Sequence, residues 1–194
     1  MSAQSHPVPA GLLLTPGAGA DRDHHTLRAV ADRLATAPAL PVARIDFPYR
    51  AAGKRMPDRP PVAIAHLREA AGRFADELGV STDRILLGGR SYGGRMCSMA
   101  VADGLPAAGL VLLSYPLHPP GKPEKLRVDH FGHLDVPVLF VSGDRDPFGS
   151  PAELADHAAV IPGPVSRVTL PGAHDVRNQD DAVAAAVAEW ITAF

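Results

Sequence analysis

A serine between two glycines is the strongest chemical signal in the chain. Residues 89–93 read GRSYG, a G-x-S-x-G pattern between an apolar run and a stretch with helical spacing. A sharp turn from a strand into a helix exposes such a serine hydroxyl at the edge of a sheet, and the glycines relieve the crowding. The alternative is a close-packed glycine turn without chemistry. We interpret Ser91 as a nucleophile.

A serine hydroxyl reacts poorly until a base takes its proton, so an acid and then a histidine are expected further along the chain. His174 lies in the turn PGAHD, directly after a predicted late strand. Two aspartates, Asp144 and Asp146, follow the strand before it, and spacing does not choose between them. The other aspartate would then stabilise the turn.

Acyl transfer also needs donors for the oxyanion that forms at the carbonyl. The residue after the nucleophile supplies one N–H group, which here belongs to Tyr92. The glycine-rich turn at residues 16–19 supplies the second, and we choose Ala18. Gly17 in the same turn and Arg90 beside the nucleophile are expected at the substrate pocket. A phosphate-binding loop is excluded here, because neither GxGxxG nor GxxxxGK[ST] is present.

Other histidines offer weaker signals. His24 opens the first predicted helix near the strand ends, and His118 follows the run LVLLS, so both are expected to contact substrate. His130 and His133 form an HxxH pattern that could bind a metal, but a third and fourth ligand are not evident nearby. A surface helical turn is the preferred interpretation, and a metal hydrolase would lose activity with a chelator. No metal or cofactor is expected.

Short apolar runs alternate with segments of helical spacing along the chain. The runs are nearly continuous, which is typical of parallel strands covered by helices on both faces. Ligands bind such sheets outside the carboxyl ends of the strands, where the candidate residues fall. The sequence predicts an open three-layer α/β sheet with strands at 12–15, 42–47, 85–88, 110–114, 136–142 and 166–170, and helices at 23–37, 62–78, 91–102, 151–160 and 180–194.

Composition limits the classes of protein that remain. The 194 residues include 19 Lys+Arg and 21 Asp+Glu, a net charge of −2, which predicts neither a nucleic-acid partner nor a membrane surface. The length predicts one domain over residues 1–194. Cys97 is the only cysteine, which excludes an intrachain disulfide. The N-terminus lacks the charged region of a signal peptide, so the cytoplasm is the expected compartment.

Two predicted strand-end loops have a positive balance of charge, residues 50–59 and residues 122–127. They are either solvated loops or a surface for an anionic substrate or partner, and both interpretations stay open. The proline-rich segment 115–135 is too short for a lid domain. An open site is therefore expected, one that favours small or protruding esters over long acyl chains.

With these residues in view, the chain resembles an alpha/beta hydrolase from Leu12 to Trp190. The segments PGAGA, DFPYRAAG, GGRSYGGR, SYPLHPPGKPEKLR and VSGDRDPFG resemble a dienelactone-hydrolase-related group that includes the testis-expressed protein 30-like and NSL-complex subunit 3-like proteins. The resemblance implies Ser91 as nucleophile, His174 as base and Asp146, in G-x-x-D, as the acid. Dienelactone hydrolases carry a cysteine at the elbow, so their substrate is not implied.

The resemblance also implies a reduced sheet of about six strands without a cap domain, because the first two strands of a full alpha/beta hydrolase have no counterpart before Leu12. The prediction is a serine hydrolase that cleaves small carboxylic esters or thioesters through an acyl-enzyme at Ser91, with no cofactor and a small-molecule ester as its partner. The alternative is a non-catalytic binding or scaffold protein of this fold, in which Ser91 and His174 need not lie within hydrogen-bond reach.

Overall fold

Six parallel strands form one sheet in the computed structural model, which describes residues 7–194; the domain predicted over 1–194 includes residues 1–6, which lie outside that part. The order across the sheet is β2-β1-β3-β4-β5-β6. The strands are β1 (Gly11–Thr15), β2 (Val42–Arg44), β3 (Ile85–Arg90), β4 (Gly109–Leu113), β5 (Val138–Gly143) and β6 (Val165–Leu170). The six-stranded parallel prediction is confirmed.

Helices cover both faces of the sheet. They are α1 (His25–Thr36), α2 (Pro48–Ala51), α3 (Pro60–Leu78), α4 (Tyr92–Ala102), α5 (Pro151–Ala158) and α6 (Asp180–Thr192). The buried side chains of α1 and α6 share one core cluster, and those of α3, α4 and α5 share the other. Strand side chains alternate between these clusters, with Leu12 and Leu14 in the first and Leu13 in the second.

The second strand is shorter than predicted. It ends at Arg44, although the backbone N–H of Ile45 still donates to Leu14 on β1 at 3.0 Å. Phe47 then caps α2, whose first residue is Pro48. A residue that precedes proline favours extended backbone, and the proline ring suits the first turn of a helix, so the chain leaves the sheet here.

The sheet reverses its strand order beside β1. The chain passes from β1 outward to β2 and then crosses back to β3 on the other side of β1. The loops that follow β1 and β3 therefore diverge and leave a crevice between them at the carboxyl ends of the strands. The turn at residues 16–19 and the elbow at Ser91 lie at this crevice.

No separate cap domain covers this edge in the described residues. The connection between β4 and β5 contains a single short 3₁₀ turn, Phe131–His133. Over residues 7–194, no helix has both the length and the apolar character needed to cross a membrane.

Candidate active site

The turn between β3 and α4 holds Ser91 in a strained conformation, with φ of 50° and ψ of −113°. The backbone N–H of Ser91 donates to Leu113 on β4 at 2.8 Å, which fixes the turn to the sheet. A Cβ atom at Gly89 or Gly93 would overlap the side chain and the carbonyl oxygen of Thr15. Glycine is required at both positions because β1 passes so close beneath the elbow.

Three side chains from different loops form one hydrogen-bonded chain. His174, in the loop after β6, lies with Nε2 2.8 Å from Ser91 Oγ. Its Nδ1 lies 2.8 Å and 3.0 Å from the two carboxylate oxygens of Asp146, in the loop after β5. The side chain of Asp146 is 1% exposed and that of His174 is 16% exposed. These contacts bring together the predicted nucleophile, base and acid.

Two further contacts orient this chain. The backbone N–H of Phe148 donates to Asp146 Oδ1 at 2.8 Å, so the carboxylate accepts from its own loop as well as from the histidine. The ring of Phe148 lies against that of His174, with 4.1 Å between the ring centroids. The carboxylate and the aromatic ring together hold the imidazole toward Ser91.

The second candidate acid, Asp144, serves the turn that carries His174. Its carboxylate accepts the backbone N–H of Gly172 at 2.8 Å and pairs with the exposed Arg145 at 3.3 Å. The hydrogen bond from Gly172 is the main cause that lowers the pKa of Asp144. Asp144 thus links the loop after β5 to the loop after β6 at Gly172, which lies two residues before His174.

The predicted oxyanion donors flank the nucleophile. Tyr92 is the first residue of α4, and a helix leaves the N–H groups of its first turn without an intrahelical acceptor. Ala18 lies across the crevice, and the Tyr49 hydroxyl donates to its carbonyl oxygen at 2.8 Å. The Tyr92 hydroxyl donates to the carbonyl of Asp58 at 2.7 Å. The hydroxyls of the buried Tyr49 and the partly buried Tyr92 thereby hold both sides of the crevice.

A cavity of about 430 Å³ opens above Ser91. Such a volume is typical of small-molecule sites. Eleven residues line it: Ala18, Gly19, Pro57, Arg90, Ser91, Tyr92, Arg95, Pro116, Arg127, Phe148 and His174. None of these lining residues is acidic.

Of the four predicted pocket residues, Arg90 lines this cavity. Its Nη2 donates to Asp175 at 2.8 Å and to the carbonyl of His174 at 3.2 Å, so it also braces the histidine loop. Burial lowers the pKa of Arg90, and the charge of Asp175 opposes that shift. Within residues 7–194, Gly17, His24 and His118 are not part of the lining.

These three residues have other surroundings. A Cβ at Gly17 would lie 3.1 Å from Arg90 Nη1 and in ordinary contact, at 3.6 Å, with the Cβ of Ser91, so the turn runs directly beside both residues. His24 caps α1, where its Nδ1 accepts the backbone N–H of Thr26 at 3.3 Å. His118 is 6% exposed, with Nε2 3.5 Å from Glu153. The structure thus places His118 beside α5 and outside the lining of this cavity, and a contact with substrate stays a prediction.

Two cationic residues of the cavity wall, Arg95 and Arg127, are not among the pocket residues predicted from the sequence. Arg127 belongs to the basic loop at residues 122–127. A usable signal existed for Arg95, because residues four apart share one face of a helix and Arg95 stands four after Ser91. For Arg127 the sequence holds no comparable signal, because its loop has no regular spacing.

One group of side chains in the described residues could hold a metal: His24, His25 and Asp175 offer ligand atoms within 4.8 Å of one another. Arg90 already donates to Asp175, and its positive charge disfavours a cation there. The HxxH pair is not among the groups found, and His130 Nε2 instead lies 2.8 Å from Ser98 Oγ. Burial and the charge of Arg95 lower the pKa of His130 to about 4.

Comparison with known families agrees with this architecture. The model of the family described as "Alpha/beta hydrolase domain" matches residues 9–190. The chain belongs to this family. The match spans all six strands of this alpha/beta hydrolase and every residue of its candidate site, and it supports a hydrolase in general terms.

Solved structures share the fold of this alpha/beta hydrolase. A hydrolase of the alpha/beta superfamily from Xanthomonas campestris has a TM-score of 0.71 at 21% identity, with 95% of this chain and 99% of that chain covered. A dienelactone hydrolase from Anabaena variabilis has 0.75 at 20%, with 96% and 87% covered. An esterase domain of a Rhodothermus marinus protein has 0.68 at 18%, with 98% and 87% covered. These low identities show the fold alone.

Proposed function

We propose that this alpha/beta hydrolase is a serine hydrolase that cleaves small carboxylic esters or thioesters. The observation that carries the proposal is the unbroken contact from Ser91 Oγ through His174 to the buried Asp146, with 2.8 Å at each link. A hydroxyl, a base and an orienting carboxylate within hydrogen-bond reach are what nucleophilic acyl transfer needs. The esterase and dienelactone hydrolase among the structural neighbours are consistent with it.

The proposed reaction has two halves. Ser91 Oγ attacks the acyl carbon while its proton passes to His174 Nε2, and the oxyanion accepts the N–H groups of Tyr92 and Ala18. When the tetrahedral adduct collapses, the bond to the alcohol or thiol breaks and His174 returns the proton to that leaving group. Water then attacks the acyl-enzyme while one of its protons passes to His174. When this second adduct collapses, the bond to Ser91 Oγ breaks, His174 returns the proton to Ser91 Oγ and the carboxylic acid leaves.

The shape of the cavity supports a small substrate. Over residues 7–194, a volume of about 430 Å³ and a rim without a cap domain favour a small substrate over a long acyl chain. The resemblance to the testis-expressed protein 30-like group and the cytoplasmic compartment stay predictions. A marked preference for long-chain over short-chain esters would contradict the small-ester part of the proposal.

A fluorophosphonate probe tests the nucleophile directly, with intact mass as the readout. The wild type should gain one label, Ser91→Ala should gain none, and His174→Ala should react at least about a thousandfold more slowly. Ser81→Ala is the matched control, because Ser81 is exposed and precedes β3, at the end of that strand opposite to the elbow, and it should react like the wild type. A folded wild type that takes no label would instead favour a binding protein of this fold.

A further inference from the structure

Arg95 stands one helical turn beyond the proposed nucleophile. Its backbone N–H donates to the Ser91 carbonyl at 3.0 Å, the first such bond of α4. Residues four apart lie on the same face of a helix, so the side chain of Arg95 shares the cavity wall with Ser91. A helix thus fixes the backbone of Arg95 one turn from Ser91, and both residues line the same cavity.

Arg127 reaches the same cavity from the connection between β4 and β5. Its backbone is held at both polar groups: the N–H donates to the carbonyl of Leu117 at 2.8 Å, and the carbonyl accepts the Tyr115 hydroxyl at 2.7 Å. Tyr115 is buried and packs against Phe131 and Phe140. Arg127 is therefore anchored to the core and differs from the exposed lysines of the same loop.

Within the part of the chain that the structure describes, neither guanidinium has an anionic partner. Over residues 7–194, no carboxylate lies within 4.0 Å of Arg95 or Arg127, and Arg95 Nε is shielded from solvent without a hydrogen-bond partner. Arg90, the third arginine of the wall, has its Nη2 bound to Asp175. Its Nε is likewise unpartnered, but its charge is compensated.

The positive charges of Arg95 and Arg127, which lack a compensating carboxylate in the described residues, also repel each other. Burial is the main cause that lowers the pKa of Arg127, and the charge of Arg95 lowers it further. Two like charges in a partly buried cavity without acidic lining residues cost free energy. A bound anion would remove that cost and satisfy the unpartnered donors.

We propose that the cavity selects an anionic substrate: an ester or thioester that bears a carboxylate or phosphate-type group, which Arg95 and Arg127 bind while Ser91 attacks the acyl carbon. This inference rests on the proposed hydrolase function. Guanidinium groups match the oxygen geometry of both anions, and a planar donor pair discriminates against neutral groups of the same shape. The arginines bind and orient the substrate; they take no proton in the reaction.

Matched substrate pairs test the proposal. One pair is the p-nitrophenyl monoester of adipic acid against the same compound with its free carboxylate methylated. In the second pair a phosphonate replaces the carboxylate, and the neutral member is its dimethyl ester. The third pair compares p-acetoxybenzoate with its methyl ester, so that the charge lies on the leaving group. For each pair the readout is the ratio of kcat/KM for the charged member to that for the neutral member.

In the wild type this ratio should exceed about tenfold for at least one pair, as expected for charge-assisted hydrogen bonds, and should fall as salt is added. Arg95→Gln and Arg127→Gln should each lower the ratio about fivefold or more. Arg73→Gln, which removes an exposed arginine of α3, should leave it unchanged. The identity of the preferred pair distinguishes carboxylate from phosphate and acyl side from leaving-group side.

Ratios near one for all three pairs in the wild type would overturn the proposal. This result depends on the wild-type protein alone and not on whether a variant folds. A high ratio that survives both substitutions would overturn it as well. If Ser91 still cleaves the neutral esters in either case, the serine hydrolase itself stands and only the anionic preference falls. If no ester is cleaved and the fluorophosphonate does not react, the proposed function falls and this inference falls with it.

Discussion

The Ser91–His174–Asp146 chain contains a serine–histidine contact and a histidine–aspartate contact. Each kind of contact occurs a second time elsewhere in the molecule. His25 Nδ1 lies 2.7 Å from Asp180 Oδ2, as His174 lies 2.8 Å from Asp146, but without a serine in the contact. Both histidines also stack on an aromatic ring, at 4.2 Å for His25 and 4.1 Å for His174. A histidine–aspartate pair is thus not by itself a sign of catalysis.

What separates the two pairs is burial and the task of the carboxylate. The side chains of His25 and Asp180 are 51% and 30% exposed, against 16% and 1% for His174 and Asp146. Asp180 also accepts the Thr26 hydroxyl at 2.8 Å and so joins the first turns of α1 and α6. One pair links two helices at the surface, and the other is largely buried beside the cavity.

The second serine–histidine contact joins Ser98 and His130, whose Oγ and Nε2 atoms lie 2.8 Å apart. Ser98 Oγ also lies 2.9 Å from the carbonyl oxygen of Arg95, a second acceptor within reach of its hydroxyl. Burial and the charge of Arg95 lower the pKa of His130 to about 4, which makes its imidazole a weak base. Surroundings, and not distance, distinguish this pair from the one at Ser91.

The largest predicted effect comes from neutralising each carboxylate in turn. Asp146→Asn should lower kcat/KM for p-nitrophenyl acetate about a thousandfold to ten thousandfold, because the imidazole loses its orientation and tautomer. Asp180→Asn, the matched change at the surface pair, should leave kcat/KM within about twofold of the wild type. Equal losses in both variants would show that the comparison between the pairs is mistaken.

The next effect concerns the close packing beneath Ser91, which the surface pair lacks. Gly93→Ala should lower the free energy of unfolding by about 1 to 3 kcal/mol, because its Cβ overlaps Thr15. Gly72→Ala, in α3 with open space around it, should raise that free energy by about 0.5 to 1 kcal/mol. Urea denaturation measures both, and a Gly93→Ala protein as stable as the wild type would refute the packing argument.

The partly buried His130 of the Ser98–His130 pair should make the stability of the protein depend on pH. The pKa of His130 is about 4 in the folded protein, below the ordinary value of 6.5. Between these two pH values the unfolded chain therefore binds more protons than the folded protein. The free energy of unfolding falls as the pH is lowered through this range. Arg95 and His133 disfavour the charged imidazole and Asp129 favours it. His130→Gln should lose less stability between pH 7 and pH 4, by on the order of 1 to 2 kcal/mol.

Thermal unfolding of both proteins across that pH range provides the measurement. His157→Gln is a useful control, since His157 lies in the last turn of α5 outside this cluster. If the wild type and His130→Gln lose stability in parallel, burial of His130 does not govern the acid response.

The smallest predicted effect is on the surface pair itself. Asp180→Asn should lower the free energy of unfolding by about 0.5 to 1 kcal/mol, because Asp180 stands in the first turn of α6, where a negative charge is favourable. The loss should shrink as salt is added. A loss above about 3 kcal/mol would indicate a buried ion pair and would blur the contrast with Asp146.

Local sequence patterns were sufficient to predict the strands, the helices and the turn at Ser91. Continuous apolar runs specify buried parallel strands, helical spacing specifies the covering helices, and G-x-S-x-G specifies a strand-to-helix turn, since each reports on residues only a few positions apart. The serine, the histidine and the fold class are therefore readable from the chain alone. The spacing left Asp144 and Asp146 equal, and only a resemblance to relatives favoured Asp146.

The tertiary structure decided which of these residues meet. The contact of Asp146 with His174 joins residues 28 apart, and that of His174 with Ser91 joins residues 83 apart, separations at which no sequence periodicity operates. The same holds for Arg95 and Arg127, which share one cavity although they come from a helix and an irregular loop. Sequence determined what each segment can form, and the packing of the loops at the sheet edge determined which side chains act together.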